Sequence, residues 1–181
     1  MVAGAITGGE VTVNDCRPEH LTALLEALQA AGVKVQTQKN SIFVQAGDGL
    51  KAHSIATAPH PGYATDLQAQ FMTLMTQAEG SCTISENVFE NRFMHVQELA
   101  RMNAKIEISG RQATVHGQPG KLTGAPVMAT DLRASASLVL AGLVANGVTT
   151  VQRIYHLDRG YERLELKLSK IGGNVRRVSE S

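Results

Sequence analysis

From Pro18 onward the apolar positions Leu21, Leu24, Leu25 and Leu28 recur three and four residues apart, which sets them on one face of a helix. Pro18 suits a first helical turn and Gly32 a left-handed end, so this helix is bounded on both sides. The period then falls to two: Val33, Val35, Ile42 and Val44 alternate with other residues about a turn at 38–40, the pattern of a β-hairpin. The same succession returns as a helix over 66–78, a strand over 82–85, a short helix over 93–102, and paired strands over 104–108 and 113–116 about Gly110. It returns once more as a helix over 134–144, a strand over 148–154, a helix running to 171 and a strand over 174–178. The helix over 134–144 is apolar nearly all round and therefore belongs where no face meets water.

The succession is matched by repeated residues. Thr65-Asp66-Leu67-Gln68-Ala69 recurs 65 positions later as Thr130-Asp131-Leu132-Arg133-Ala134. Asn91-Arg92 is answered by Asp158-Arg159, and Gly4, Gly9 and Val13 align with Gly142, Gly147 and Val151. Residue 1 then falls inside a repeat's helix, so the chain is expected to be part of a longer fold. The predicted class is α/β with pseudo-threefold βαβαββ repetition, the central helices buried by their neighbours, in a single truncated domain over 1–181. The loop Pro59-His60-Pro61-Gly62 delivers the chain to Thr65-Asp66.

Composition narrows the function. With 181 residues and 43% hydrophobic side chains the chain can bury a core. Seventeen Lys plus Arg against 16 Asp plus Glu leave a net charge of +1, so no global field draws nucleic acid or an anionic membrane, and any anion site must be local. Four Phe, three Tyr and no Trp offer few platforms for bases. Cys16 and Cys82 form no CxxC and the six histidines no i, i+4 pair, so reduced thiols in a cytoplasmic protein are expected and a metal site is not. No run reaches transmembrane length.

The candidate chemistry lies at the helix starts. Thr65-x-x-Gln68 has the form of a capping box. In the second copy Arg133 replaces Gln68, placing a cation where the helix end is already positive, at a cost of roughly 0.3–1 kcal/mol. Arg92 and Arg159 follow Asn91 and Asp158, which resemble N-caps. Three arginines in such slots predict a bound carboxylate or phosphate, unless each pairs with a nearby acid such as Glu90 or Asp158. Asp66 and Asp131 occupy equivalent first-turn positions where negative charge is stabilised, and each could equally be structural. Cys82, without an adjacent His or Lys, reads as structural.

At these residues the chain resembles the enolpyruvyl transferase family, and within it the UDP-N-acetylglucosamine 1-carboxyvinyltransferases that open peptidoglycan synthesis. The resemblance covers nearly the whole chain and is carried by the blocks beginning at Thr65, Phe89, Ala129 and Tyr155, including Phe89-Glu90-Asn91-Arg92-Phe93 and Asp158-Arg159-Gly160-Tyr161-Glu162-Arg163. It implies an inside-out α/β barrel of threefold units in each of two domains, with the active site between them and no cofactor. It further implies that Asp66 takes the proton from the sugar 3'-hydroxyl, that Val88 lies by the nucleotide sugar, and that Arg133 and Arg159 hold phosphoenolpyruvate. Arg92, Asp131 and Glu90 would line the same cleft.

The family's Lys-Asn pair and the loop carrying its general-acid cysteine precede the matched stretch, and neither Cys16 nor Cys82 matches that cysteine. The resemblance is thus to the carboxy-terminal portion alone, with the partner domain absent. The isolated chain is expected to fold, to bind substrate weakly, not to turn over, and to self-associate through an incomplete barrel edge. Two other readings stand beside this one. A shikimate-pathway enolpyruvyl transferase shares the barrel, and a noncatalytic repeat module could use the helix-start arginines to bind phosphate ligands or a protein partner.

Overall fold

The computed structural model describes residues 1–178 and shows three units of one plan. The first comprises α1 (Val2–Ile6), β1 (Glu10–Asn14), α2 (Thr22–Ala30), β2 (Lys34–Gln38) and β3 (Ser41–Gln45). The second comprises β4 (Ile55–Ala56), α3 (Gln68–Met75), β5 (Gly80–Ser85), α4 (His95–Arg101), β6 (Lys105–Ser109) and β7 (Gln112–Gly117). The third comprises β8 (Pro126–Met128), α5 (Leu132–Val144), β9 (Thr150–Gln152), α6 (Tyr155–Asp158) and α7 (Leu164–Lys170).

Each unit builds its own sheet. The first runs β1-β3-β2, all antiparallel, and the second β4-β5-β7-β6, with β4 parallel to β5. The third pairs β8 with β9 in parallel. Helices α1, α3 and α5, one from each unit, pack against one another inside the ring of sheets. That placement accounts for α3, all eight of whose residues are buried, Phe71, Met72 and Leu74 completely. Removing each such apolar side chain from water stabilises the fold by about 1.5–3 kcal/mol. Hydroxyl groups in and just after these inner helices bond to carbonyls of their own or the neighbouring helix. Thr73 donates to the Ser137 carbonyl at 3.4 Å, Ser137 to Ala134 at 2.8 Å, and Thr76 to Thr73 at 2.6 Å.

The expected helices, hairpins and threefold repetition are present, with three differences. The helix expected over 66–78 opens as a 3-10 turn, Thr65–Leu67, before α3 begins at Gln68. The helix expected to run to 171 is broken between α6 and α7, where Arg163 takes a left-handed conformation (φ 44°, ψ 51°) as the N-cap of α7. No strand forms over 174–178 among the described residues, where Arg177 is instead drawn to Asp158 and Glu165.

Candidate active site

The first turn of α5 is set by Asp131, whose Oδ1 accepts from the backbone N–H of Arg133 at 2.8 Å and of Ala134 at 2.9 Å. Ser135 adds a hydroxyl bond to the Asp131 carbonyl. Asp131 is therefore the N-cap of α5, one position ahead of the first-turn site expected for it. With its backbone held this way, Arg133 extends across to the second unit. Its Nε and Nη2 lie 2.7 and 2.6 Å from Oδ1 of Asp66. The anion that answers the helix-start arginine is thus a carboxylate of the equivalent repeat, not Glu90 or Asp158, the acids expected to compete for it.

Thr65 does not form the expected capping box. Its hydroxyl donates to Oε2 of Glu86 at 2.8 Å, and Gln68 is buried with its amide 4.0 Å from the Met72 sulfur. The hydroxyl proton goes to the ionised carboxylate, and the 3-10 turn removes the register in which the Thr65 oxygen would accept from a backbone N–H. Glu86 itself, which no repeat or helix-start pattern singles out, is only 2% exposed. Its Oε1 accepts from the Thr57 hydroxyl at 2.8 Å and from the N–H groups of Val88 and Phe89 at 3.0 Å each. Burial alone would push its carboxyl up, but these bonds and that from Thr65 together hold it below the usual range. The one sequence signal is an acid directly after the apolar alternation of β5.

The other two arginines occupy settings unlike those expected. Asn91 is not a cap: it adopts a left-handed φ of 55°, and α4 begins at His95 with Met94 as its N-cap. Arg92 stacks its guanidinium 4.5 Å above the Phe89 ring. The two line a cleft of about 250 Å³ with Met94, Ile108 and Arg111. Glu90, expected as a ligand residue, is mostly exposed and ion-pairs with Arg111 at 3.0 Å. Asp158 is not a cap either. It ends α6 and takes two bonds from Arg177, at 3.1 and 2.5 Å, which hold its carboxyl low. Arg159 follows at the C-terminal end of α6, where a cation suits the helix dipole. Gly160 then packs against Leu132: a Cβ added at Gly160 would lie 2.8 Å from Cδ2 of Leu132. This close approach brings the segment that carries Arg159 to Leu132, the first residue of α5.

Around this region His95 is buried and its imidazole pushed down to about 4 by burial, against the opposing pull of the Asp131 charge and a bond to the Arg92 backbone. Burial also pushes the Cys82 thiol up to about 11, with a backbone bond from His53 pulling the other way, so it is no thiolate near neutrality. Among the described residues no group of three or more His, Cys, Asp or Glu is arranged to hold a metal, and no helix is long and apolar enough to cross a membrane.

Three units of one βαβαββ plan, complete in the second, around buried central helices, with the acid of one helix start clasped by the arginine of the next, define an enolpyruvyl transferase-type barrel. The chain belongs to the EPSP synthase (3-phosphoshikimate 1-carboxyvinyltransferase) family, whose model matches residues 1–168. Within that family it is homologous to UDP-N-acetylglucosamine 1-carboxyvinyltransferases. It is 62% identical to that of Bdellovibrio bacteriovorus over 178 residues and 59% identical to that of Solibacter usitatus over 179, each alignment covering 98% of this chain. The chain spans 43% of the length of either relative. Among solved structures, the enolpyruvyl transferase NikO from Streptomyces tendae superposes with a TM-score of 0.86 at 26% identity, over 97% of this chain and 42% of that one. EPSP synthase from Acinetobacter baumannii, at 18% identity and a TM-score of 0.78 over 99% of this chain and 45% of its own, shares the fold.

Proposed function

We propose that this chain forms the carboxy-terminal part of an enzyme that transfers enolpyruvyl from phosphoenolpyruvate to the 3'-hydroxyl of UDP-N-acetylglucosamine, the first committed step of peptidoglycan synthesis in the cytoplasm. The observation that carries the reading is the meeting of Asp66 and Arg133 at equivalent helix starts. Both short contacts fall on Oδ1 of Asp66, which leaves Oδ2 to accept the proton of a sugar hydroxyl. Arg133 would then lie between the base and the anionic co-substrate. Arg159, brought close by the packing of Gly160 on Leu132, would supply a second guanidinium for the phosphate and carboxylate of phosphoenolpyruvate.

Val88 borders the nucleotide sugar in this reading, and Arg92 and Glu90 stand at the rim of the same cleft. Asp131 acts there through the helix start it caps, fixing where Arg133 leaves the backbone. The segment that carries the family's general-acid cysteine is supplied by the amino-terminal portion, so the chain alone binds weakly and does not turn over. The free thiols of Cys16 and Cys82 agree with a reducing compartment.

The test is phosphate release from phosphoenolpyruvate and UDP-N-acetylglucosamine by the chain alone and mixed with a separately made amino-terminal portion of the Bdellovibrio bacteriovorus relative. Turnover in the mixture only is the expected result. Release with shikimate 3-phosphate in place of the nucleotide sugar would move the assignment to the shikimate-type reaction. Silence in the mixture, together with no binding of either substrate in a titration, would overturn the reading in favour of a noncatalytic module.

A further inference from the structure

Glu86 is a buried ionised side chain to which the reaction as described gives no part. It stands one residue past the end of β5 and gathers three separate stretches of chain. Thr57 follows β4, Thr65 immediately precedes Asp66, and Val88 and Phe89 open the loop that leads to Arg92. The two carboxylate oxygens divide this work. Oε2 takes the Thr65 hydroxyl, whereas Oε1 takes the Thr57 hydroxyl and both loop amides. Thr57, itself fully buried, also accepts from the Asn87 N–H at 2.9 Å, so the loop is tied at three successive amides. Arg111 closes the arrangement from the β6–β7 hairpin, its Nη1 donating to the Glu86 carbonyl at 3.5 Å.

Asp66 lies in the 3-10 turn before α3, where Arg133 also holds it, and Val88 lies in a separate loop; Glu86 is the anchor that joins these two stretches. We propose that Glu86 is a positioning residue that sets the distance between Asp66 and Val88, and with it the placement of a nucleotide sugar's hydroxyl against the base. This rests on the substrate reading given above. Charge matters as well as shape, because bonds to an ionised acceptor are stronger and more directional than those to a neutral amide. In Glu86→Gln, Oε1 keeps its three donors, but the side-chain NH₂ faces Thr65 and reverses that bond.

The experiment follows the amides of the ¹⁵N-labelled chain while UDP-N-acetylglucosamine is added, and measures hydrogen exchange at Val88 and Phe89. In Glu86→Gln, exchange at these two amides is expected to rise about tenfold and the dissociation constant for the nucleotide sugar to rise by a similar factor. Thr65→Val should weaken binding while leaving exchange at Val88 and Phe89 as it was, since their bonds fall on the other oxygen. Thr65→Ser, which keeps the hydroxyl, should restore binding to within about twofold. If Glu86→Gln and Thr65→Val both bind like the unmodified chain and only melt earlier, Glu86 is a fold stabiliser and the proposal is wrong. If the unmodified chain itself shows no response to the nucleotide sugar, the substrate reading falls and the proposal falls with it. The two failures are therefore told apart by the first titration.

Discussion

Arg133 places both Nε and Nη2 within 2.7 Å of one oxygen of Asp66, a residue 67 positions earlier in the chain. The two belong to successive copies of one Thr-Asp-Leu-x-Ala motif, and in the first copy Gln68 stands where Arg133 stands in the second. Pseudo-symmetry brings the motifs to one end of the barrel, and the single exchange of Gln for Arg turns two helix starts into an acid–base contact.

That contact is a poor candidate for a stabilising element. The side chains are 34% and 57% exposed, so solvent screens their attraction. A double-mutant cycle with Asp66→Ala and Arg133→Ala, read by denaturant unfolding, should give a coupling below about 1 kcal/mol. In the enzyme completed with an amino-terminal portion, Asp66→Asn should lower turnover by about 10²–10⁴-fold, as loss of a general base does. Arg159→Ala should chiefly raise the concentration of phosphoenolpyruvate required. Wild-type rates in both variants would remove the two residues from the reaction.

Asp131 separates structure from chemistry by a different substitution. Its side chain caps α5 with two bonds, so Asp131→Ala should cost about 1 kcal/mol, whereas Asp131→Asn, an equally good cap, should restore stability. Since Arg133 is held through that cap, Asn should also restore most of the turnover. A stable but inactive Asn variant would show instead that the Asp131 charge itself meets substrate.

Much of the architecture could be read directly. The spacing of Leu21, Leu24, Leu25 and Leu28, the alternation around 38–40 and Gly110, and the apolar run of α5 are local patterns, and each became the element it implied. What escaped depended on partners distant in sequence. Thr65 looked like half of a capping box until Glu86, 21 residues on, took its hydroxyl. Asn91 and Asp158 looked like caps because polar residues before an arginine and an apolar run usually are, but left-handed Asn91 and Arg163 postpone the helices to His95 and Leu164. At the site, the identities of Asp66, Asp131 and Arg133 were visible in the repeat, while the ion pair and the Glu86 network were not, since neither leaves a periodic trace.

Gly117 marks a close approach on which the second unit depends. A Cβ there would overlap the carbonyl oxygen of Ala78 and lie 2.8 Å from that of Met75, at the end of α3. Both are backbone atoms and cannot swing aside, so Gly117→Ala should destabilise by about 1–3 kcal/mol or more. Gly110, at φ 58° with nothing within 4 Å, provides the contrast. Gly110→Asn, a residue that tolerates the left-handed region, should shift the unfolding midpoint far less. Equal effects at the two positions would show that backbone crowding at Gly117 relaxes freely.

Acid should weaken the fold in two stages. His95 is buried as the neutral imidazole, with its folded value about 4 against an ordinary 6.5, so the unfolded chain binds the proton first. Its contribution is complete above 6.5 and is lost as pH falls from 6.5 toward 4, by roughly 3 kcal/mol at most. Glu86 acts lower: its folded value lies below the ordinary 4.5, so its contribution is present above 4.5 and is lost as pH falls through the folded value. Denaturant unfolding of the chain at steps between pH 7 and pH 3 should therefore show a first decline that His95→Gln abolishes. A second, below 4.5, should be reduced by Glu86→Gln and left intact by the His95 change, the remainder including Asp158, whose carboxyl Arg177 also holds low. A decline between 6.5 and 4 that persists undiminished in His95→Gln would come from another group and would remove His95 as its source.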